Sequence, residues 1–278
     1  MKAVGKIFSC SFWIFLIASK ILFAQSDLPQ QGICAHRGAR NTFPENTIPA
    51  FKEALRLGVH MMEFDVWLSK DNHLIIMHDP SVDRTTNGKG LISNLTYDEI
   101  KSLDAGSWKA PEFAGVNVPT FEEVLEIMPN NIWLNIHIKR IPAATKRVAE
   151  LIVSHNRIHQ SVMAVNKEMI NIVKEVNNDI KICNMDRTDS PKKYVDETIA
   201  MRCEFIQLTE SADSLLSVLV QKLKENNVKI NYYSTNSPDK LEQLFNSGVD
   251  FILVDDTRQM LNVAERIGIN PAEYTFDE

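Results

Sequence analysis

The sequence predicts an α/β fold, a closed (β/α)8 TIM barrel with a small insertion after its second strand. Three observations predict it. Short apolar runs rich in β-branched residues alternate eight times with longer amphipathic stretches, the grammar of successive βα units. No glycine-rich phosphate loop follows the first run, where Gly38 stands alone, and that counts against an open doubly wound sheet. The chain has 278 residues, 44% hydrophobic and 24% charged, a length and composition that one such barrel uses.

The elements follow in order. Residues 32–36 read as the first strand. The helix at 47–57 has Asn46 or Thr47 to cap it and Pro49 in its first turn. Its apolar face is Ile48, Phe51, Ala54 and Leu55, and Gly58 supplies its stop. The second strand, 60–67, leads into the insertion at 69–119, which holds a short strand at 74–78 and a turn-rich run at 83–90. Long connections at the carboxyl ends of barrel strands build active sites, so this one is expected to cover the barrel mouth. A helix at 121–127 restores the rhythm. Strands at 132–139, 161–165, 180–185, 205–208, 228–234 and 251–254 then alternate with helices at 143–154, 167–176, 192–201, 214–225, 239–246 and 258–267. Near the end the first unit's grammar returns: Ser237-Pro238 opens a helix and Gly248 closes it.

Residues 1–24 read differently. Lys2 and Lys6 precede an apolar stretch ending near Ala24, the pattern of a secretory signal peptide. Lys20 leaves the apolar stretch too short to span a bilayer, so cleavage is expected instead of a stable transmembrane anchor. Bulky Phe8 before Cys10 argues against a lipoprotein site. Residues 25–278 would then be one exported domain, periplasmic or extracellular. Cleavage removes three lysines from a chain whose formal net charge is already −6, so no general attraction for nucleic acid is expected. An anionic substrate must be met by local positive charge or metal. Cys34, Cys183 and Cys203 sit in apolar settings without metal-type spacing and read as buried thiols.

Chemistry-bearing residues collect where strands end. Strand side chains alternate, so Glu63 and Asp65 share one face, as do Asn135, His137 and Lys139. Two carboxylates in one cavity need a cation, either a metal or the side chains of Arg37 and Lys139. His137 can ligate a metal or sit as a hydrogen-bonded core residue, and its polar neighbours at spacing two disfavour an apolar core. Arg37 offers a donor fork suited to phosphate oxygens. His36 ends the first strand, and His78 lies in the insertion beside Asp79, which can orient its ring. One histidine can take a proton while the other gives one. His60, His73, His155 and His159 lack such company.

The order Ala35-His36-Arg37-Gly38, Pro44-Glu45-Asn46-Thr47, Glu63-Phe64-Asp65, His78-Asp79 and Arg84-Thr85-Thr86-Asn87-Gly88 resembles the glycerophosphodiester phosphodiesterase family. Pro119-Thr120-Phe121-Glu122-Glu123-Val124-Leu125, Asn236 and Gly248-Val249-Asp250 extend the likeness over nearly the whole chain after the leader. The resemblance implies metal-assisted hydrolysis of a small-molecule phosphodiester to an alcohol and a phosphomonoester. It makes His36 and His78 the acid/base pair, Glu63 and Asp65 ligands of one divalent cation, and Arg37 and Lys139 phosphate contacts.

Three departures from the family pattern bear on that reading. Asn135-Ile136-His137-Ile138-Lys139 has His137 where the family carries Glu. Mg²⁺ or Ca²⁺ is the cation the resemblance implies, and His137 as third ligand shifts preference toward Mn²⁺, Fe²⁺ or Zn²⁺. Tyr233 replaces a Trp, and Val254-Asp255-Asp256-Thr257 replaces Thr-Asp-x-Pro, which implies a different pocket for the alcohol. Two other readings stand beside hydrolysis: a lyase releasing a cyclic phosphate, and a metal-free binding protein on a degenerate barrel.

Overall fold

The computed structural model describes residues 28–233 and 235–274. The leader assigned to residues 1–24, with Cys10, and Ser234 at the end of an expected strand lie outside the described residues.

The strands are β1 (Gly32–His36), β2 (Met61–Leu68), β3 (Leu74–Ile76), β4 (Trp133–Ile138), β5 (Ser161–Val165), β6 (Lys181–Asn184), β7 (Phe205–Leu208), β8 (Lys229–Tyr233) and β9 (Phe251–Val254). Among the described residues eight of them, all except β3, run parallel, and β1 pairs with both β9 and β2. That second pairing closes the ring. The helices are α1 (Ile48–Leu57), α2 (Tyr97–Lys101), α3 (Phe121–Ile127), α4 (Pro142–Ser154), α5 (Lys167–Val176), α6 (Pro191–Ala200), α7 (Leu216–Glu225), α8 (Pro238–Asn246) and α9 (Thr257–Arg266). The architecture is the closed (β/α)8 barrel that the alternation predicts.

Local chemistry explains the element ends. Thr47, not Asn46, caps α1, and Gly58 ends it at φ 84°, where a β-carbon would be costly. Thr120 and Glu123 form a reciprocal capping box on α3. The helix expected at 214–225 opens instead as a 3₁₀ turn, Glu210–Leu215, before α7 begins. Within that turn the Asp213 carboxylate accepts hydrogen bonds from Tyr232 Oη at 2.7 Å and from Lys240. These ties fasten the turn to β8 and α8 ahead of the helix.

Strand alternation divides the interior into two kinds of core. Outward-facing residues of the strands pack under the helices, with Phe64 between Phe51 and Phe121 at ring distances of 5.8 and 6.1 Å. Inward-facing residues fill the barrel, where Cys34, Met61, Trp133, Cys183, Phe205 and Phe251 make a separate buried cluster. Trp133 meets Phe205 edge-on at 5.3 Å. Two residues further along β1, β2, β4 and β7 the inward positions turn polar: His36 after Cys34, Glu63 after Met61, Asn135 after Trp133, Gln207 after Phe205. The barrel floor is apolar and its mouth is charged. The cysteines at 34, 183 and 203 are free and buried.

Residues 69–119 fold around β3, which pairs antiparallel with β2. Ile75, Met77, Val82, Ile92, Ile100 and Val118 give this segment its own apolar cluster. It also grips the loop after β1: Lys109 Nζ donates to the Arg40 and Asn41 carbonyls at 2.8 Å, and Phe113 packs on Phe43. This arrangement carries His78 to the barrel mouth.

Candidate active site

The turn after β1 builds one wall of the site. Arg37, Gly38 and Asn46 all adopt left-handed backbone, at φ 57°, 77° and 56°. In that conformation Arg37 N–H donates to both the carbonyl and Oε2 of Glu63, at 3.0 and 3.1 Å. Gly38 has no room for a side chain, since a β-carbon there would lie 2.7 Å from the Ala50 carbonyl carbon. Gly38→Ala is therefore expected to cost about 1–3 kcal/mol of stability, read by urea unfolding. An unchanged midpoint would show that the turn relaxes freely.

The strand register sets the opposite wall. Asp65 lies beside His137, and Glu63 lies between His36 and Asn135. Buried Asp65 accepts from Lys139 Nζ at 2.6 Å and from Asn46 Nδ2 at 3.0 Å, and meets His137 Nδ1 at 3.0 Å. The Arg37 Nε lies 3.4 Å away. Burial alone would raise the Asp65 carboxyl, but His137, Lys139 and Arg37 outweigh it and hold the group far below the usual range. Glu63 is the opposite case. Burial, and then repulsion from Asp65, push its carboxyl well above the usual range.

Glu45 organises the arginines. This buried carboxylate accepts from Arg37 at 2.8 Å, from Arg84 at 2.8 and 3.1 Å, and from Arg40 at 3.4 Å. Burial raises its carboxyl, but the Arg84 hydrogen bonds and the charges of Arg37, Arg84 and Arg40 bring it below its ordinary value. Arg84 also grips Asp79, whose carboxyl falls to about 2 through that bond and through His78. Asp79 Oδ1 in turn lies 2.7 Å from His78 Nδ1. On the other side, His36 Nδ1 lies 2.6 Å from Asp255 Oδ1, and the Tyr233 ring meets the His36 ring edge-on at 5.4 Å. Burial lowers the His36 pKa against the raising effect of Asp255, so the ring is neutral near pH 7.

Six of the residues singled out in the sequence, His36, Arg37, Glu63, Asp65, His78 and His137, line one cavity of about 170 Å³. Lys139 lies next to it, its ammonium on Asp65 and 3.1 Å from His137 Nδ1. Glu63, Asp65 and His137 offer ligand atoms that all lie within 4.8 Å of one another. The donor set fits a divalent cation: two carboxylates and an imidazole kept neutral mainly by burial. Asp65 already has cationic side chains against it, whereas Glu63 forms no ion pair among the described residues. Glu63 is the charge such a cation would balance.

The sequence reading gave Glu45 no role, Asn46 only a possible helix cap, and Asp255 only a place in an altered alcohol pocket. Asp255 follows Leu253 at spacing two, so alternation could have placed it at the mouth, but nothing local links it to His36, 219 residues away. Arg187 and Gln207 also line the cavity, and no motif marks Arg187.

The model of the glycerophosphoryl diester phosphodiesterase family matches residues 36–259. A glycerophosphodiester phosphodiesterase of Caldanaerobacter subterraneus subsp. tengcongensis is 34% identical, over 85% of this chain and 98% of its own. One from Bacillus altitudinis is 30% identical, over 84% and 98%. The fold is similar to that of a glycerophosphodiester phosphodiesterase from Agrobacterium tumefaciens, with a TM-score of 0.73 at 25% identity, covering 83% of this chain and 98% of that one. It is also similar to an Oleispira antarctica phosphodiesterase in complex with the product sn-glycerol-3-phosphate, with a TM-score of 0.72 at 25% identity, covering 86% and 97%. Matched from the first histidine of the site to the start of the last helix, the chain belongs to the glycerophosphoryl diester phosphodiesterase family.

Proposed function

We propose that the protein hydrolyses glycerophosphodiesters or related polyol phosphodiesters to an alcohol and a phosphomonoester. The observation that carries this is one cavity holding two histidines, each on its own carboxylate, around Arg37 and the Glu63–Asp65–His137 cluster. The Oleispira relative, with its bound sn-glycerol-3-phosphate, supports the substrate class.

His36 serves as the base. Its Nδ1–H donates to Asp255, which leaves Nε2 free to take the proton of the attacking hydroxyl. As the new P–O bond forms, the ester P–O bond to the leaving alcohol breaks, and His78, oriented by Asp79, returns a proton to that oxygen. Arg37, which lines the cavity, holds the phosphoryl oxygens with the guanidinium donors that Glu45 leaves unused. A divalent cation on Glu63, Asp65 and His137 would supply Lewis-acid stabilisation of charge on those oxygens. Whether the attacking hydroxyl belongs to water or to the substrate decides between direct hydrolysis and a cyclic phosphate. Phosphorus NMR during turnover of glycerophosphoglycerol by the purified chain tests the reading. Accumulation of glycerol phosphate supports it, a cyclic phosphate that persists replaces it with a lyase, and no turnover with any divalent ion ends it.

Asp255 yields a prediction of its own. The acidic limb of kcat/KM reports the loss of neutral His36 and is expected below about pH 6.5, because burial lowers that ring's pKa. Asp255 raises the same pKa, so Asp255→Asn should move the limb to still lower pH. It should also cut kcat by about tenfold or more through loss of the productive tautomer. A lower rate with an unmoved limb would assign Asp255 to structure alone.

Export is part of the proposal. The basic start and the apolar stretch to Ala24 support it. Among the described residues no helix is long and apolar enough to cross a membrane. N-terminal sequencing of the cell-envelope and medium fractions should find a chain beginning near Gln25, and an intact Met1 terminus there would refute cleavage.

A further inference from the structure

We propose that the space beside the reaction centre is a subsite for a negatively charged substituent, a second phosphate or a carboxylate, on the alcohol portion of the diester. The proposal rests on the phosphodiesterase reading above. A cavity of about 370 Å³ opens where β4, β5 and β6 end, and it shares His137, Met185 and Arg187 with the smaller cavity of the candidate active site. Its volume lies within the range of small-molecule pockets, about 300–1,000 Å³. A diester with its phosphate at Arg37 can therefore extend its alcohol into this space.

The lining is cationic. Lys139, Arg140 and Arg187 contribute to it, and no carboxylate does. Lys139 is committed to Asp65 at 2.6 Å, whereas the two guanidinium groups are held less tightly or by neutral partners. Arg187 donates to the neutral amide oxygen of Gln207 and lies 5.7 Å from the Tyr233 ring centre, and among the described residues it forms no ion pair. Arg140, at a left-handed φ of 50°, has a largely exposed side chain whose acidic neighbour, Asp186, is 3.9 Å away. Asp186 accepts the Lys167 N–H at the start of α5 through Oδ2, and its Oδ1 makes this loose pair with Arg140. Guanidinium forks suit phosphate and carboxylate oxygens. Asn166, buried at the cavity wall, leaves its Oδ1 without a hydrogen-bond partner. In a chain of net charge −6, a lining with Arg187 outside any ion pair among the described residues, Arg140 only loosely paired, and no carboxylate favours an anionic occupant over a neutral one.

The test uses the full chain and a matched series: glycerophosphoglycerol, its terminally phosphorylated derivative, glycerophosphoglycerate as the carboxylate counterpart, and glycerophosphocholine. At low salt, kcat/KM should be about tenfold higher for the phosphorylated or carboxylated diester than for glycerophosphoglycerol, and lowest for the choline ester. Arg140→Gln and Arg187→Gln should each bring the anionic-to-neutral ratio toward one, mainly through KM. A preference confined to the phosphorylated diester specifies a phosphate subsite, and one shared by the carboxylate specifies a general anion site. Equal values across the series, or ratios that both variants leave unchanged, overturn the subsite while leaving hydrolysis standing. Failure of the wild-type chain to cleave glycerophosphoglycerol as well as the others would instead defeat the phosphodiesterase reading itself.

Discussion

Replacing His36 with alanine is expected to lower kcat on a glycerophosphodiester by about 10²–10⁴-fold, the usual contribution of a positioned general base. Burial keeps this imidazole neutral, a carboxylate 2.6 Å away orients it, and Arg37, the proposed phosphate contact, is its neighbour in sequence. KM should change little, because Arg37 and the cation cluster remain to hold the diester. The fold should survive, since His36 lies above the apolar floor of the barrel and its removal leaves the Trp133–Phe205–Phe251 packing untouched. Steady-state kinetics together with a urea unfolding curve separate the two effects. Unchanged turnover by a purified, folded His36→Ala protein would remove this histidine from the chemistry.

The second large effect concerns the cation. Stripping the protein with EDTA is expected to reduce turnover on the order of a hundredfold or more, since Lewis-acid stabilisation contributes several kcal/mol. Re-addition should rank Mn²⁺ or Zn²⁺ above Ca²⁺ or Mg²⁺, because an imidazole replaces a hard oxygen ligand. Burial holds His137 in the neutral form that ligates, and it sits within reach of both Glu63 and Asp65. His137→Glu adds a third carboxylate beside Lys139 and should reverse the ranking. If wild type and variant respond to the four ions in the same order, His137 is not a ligand.

The barrel was legible in the sequence for a local reason. Each βα unit announces itself by its own periodicity and caps, so strands such as Gly32–His36, Ser161–Val165 and Phe251–Val254 coincide with the expected ranges. The grouping of Glu63 with Asp65, and of His137 with Lys139, was equally legible, because alternation along one strand is all it needs. The start of α7 was not. The 3₁₀ turn that replaces its expected start is held through Asp213 by Tyr232 and Lys240, which belong to the next βα unit.

The sequence by itself determined the alternation that closes the barrel and the set of side chains that reaches its mouth. Only the tertiary structure decided who neutralises whom. Asp65 takes Lys139 and Arg37, Glu45 gathers Arg37, Arg40 and Arg84, and Glu63 is left without an ion pair among the described residues. His36 finds Asp255, 219 residues away, because β1 and β9 are neighbours once the ring closes. The physical reason is range. Periodicity and capping act over a few residues and are written locally, whereas the pairing of buried charges depends on which strand ends closure brings within a few ångströms.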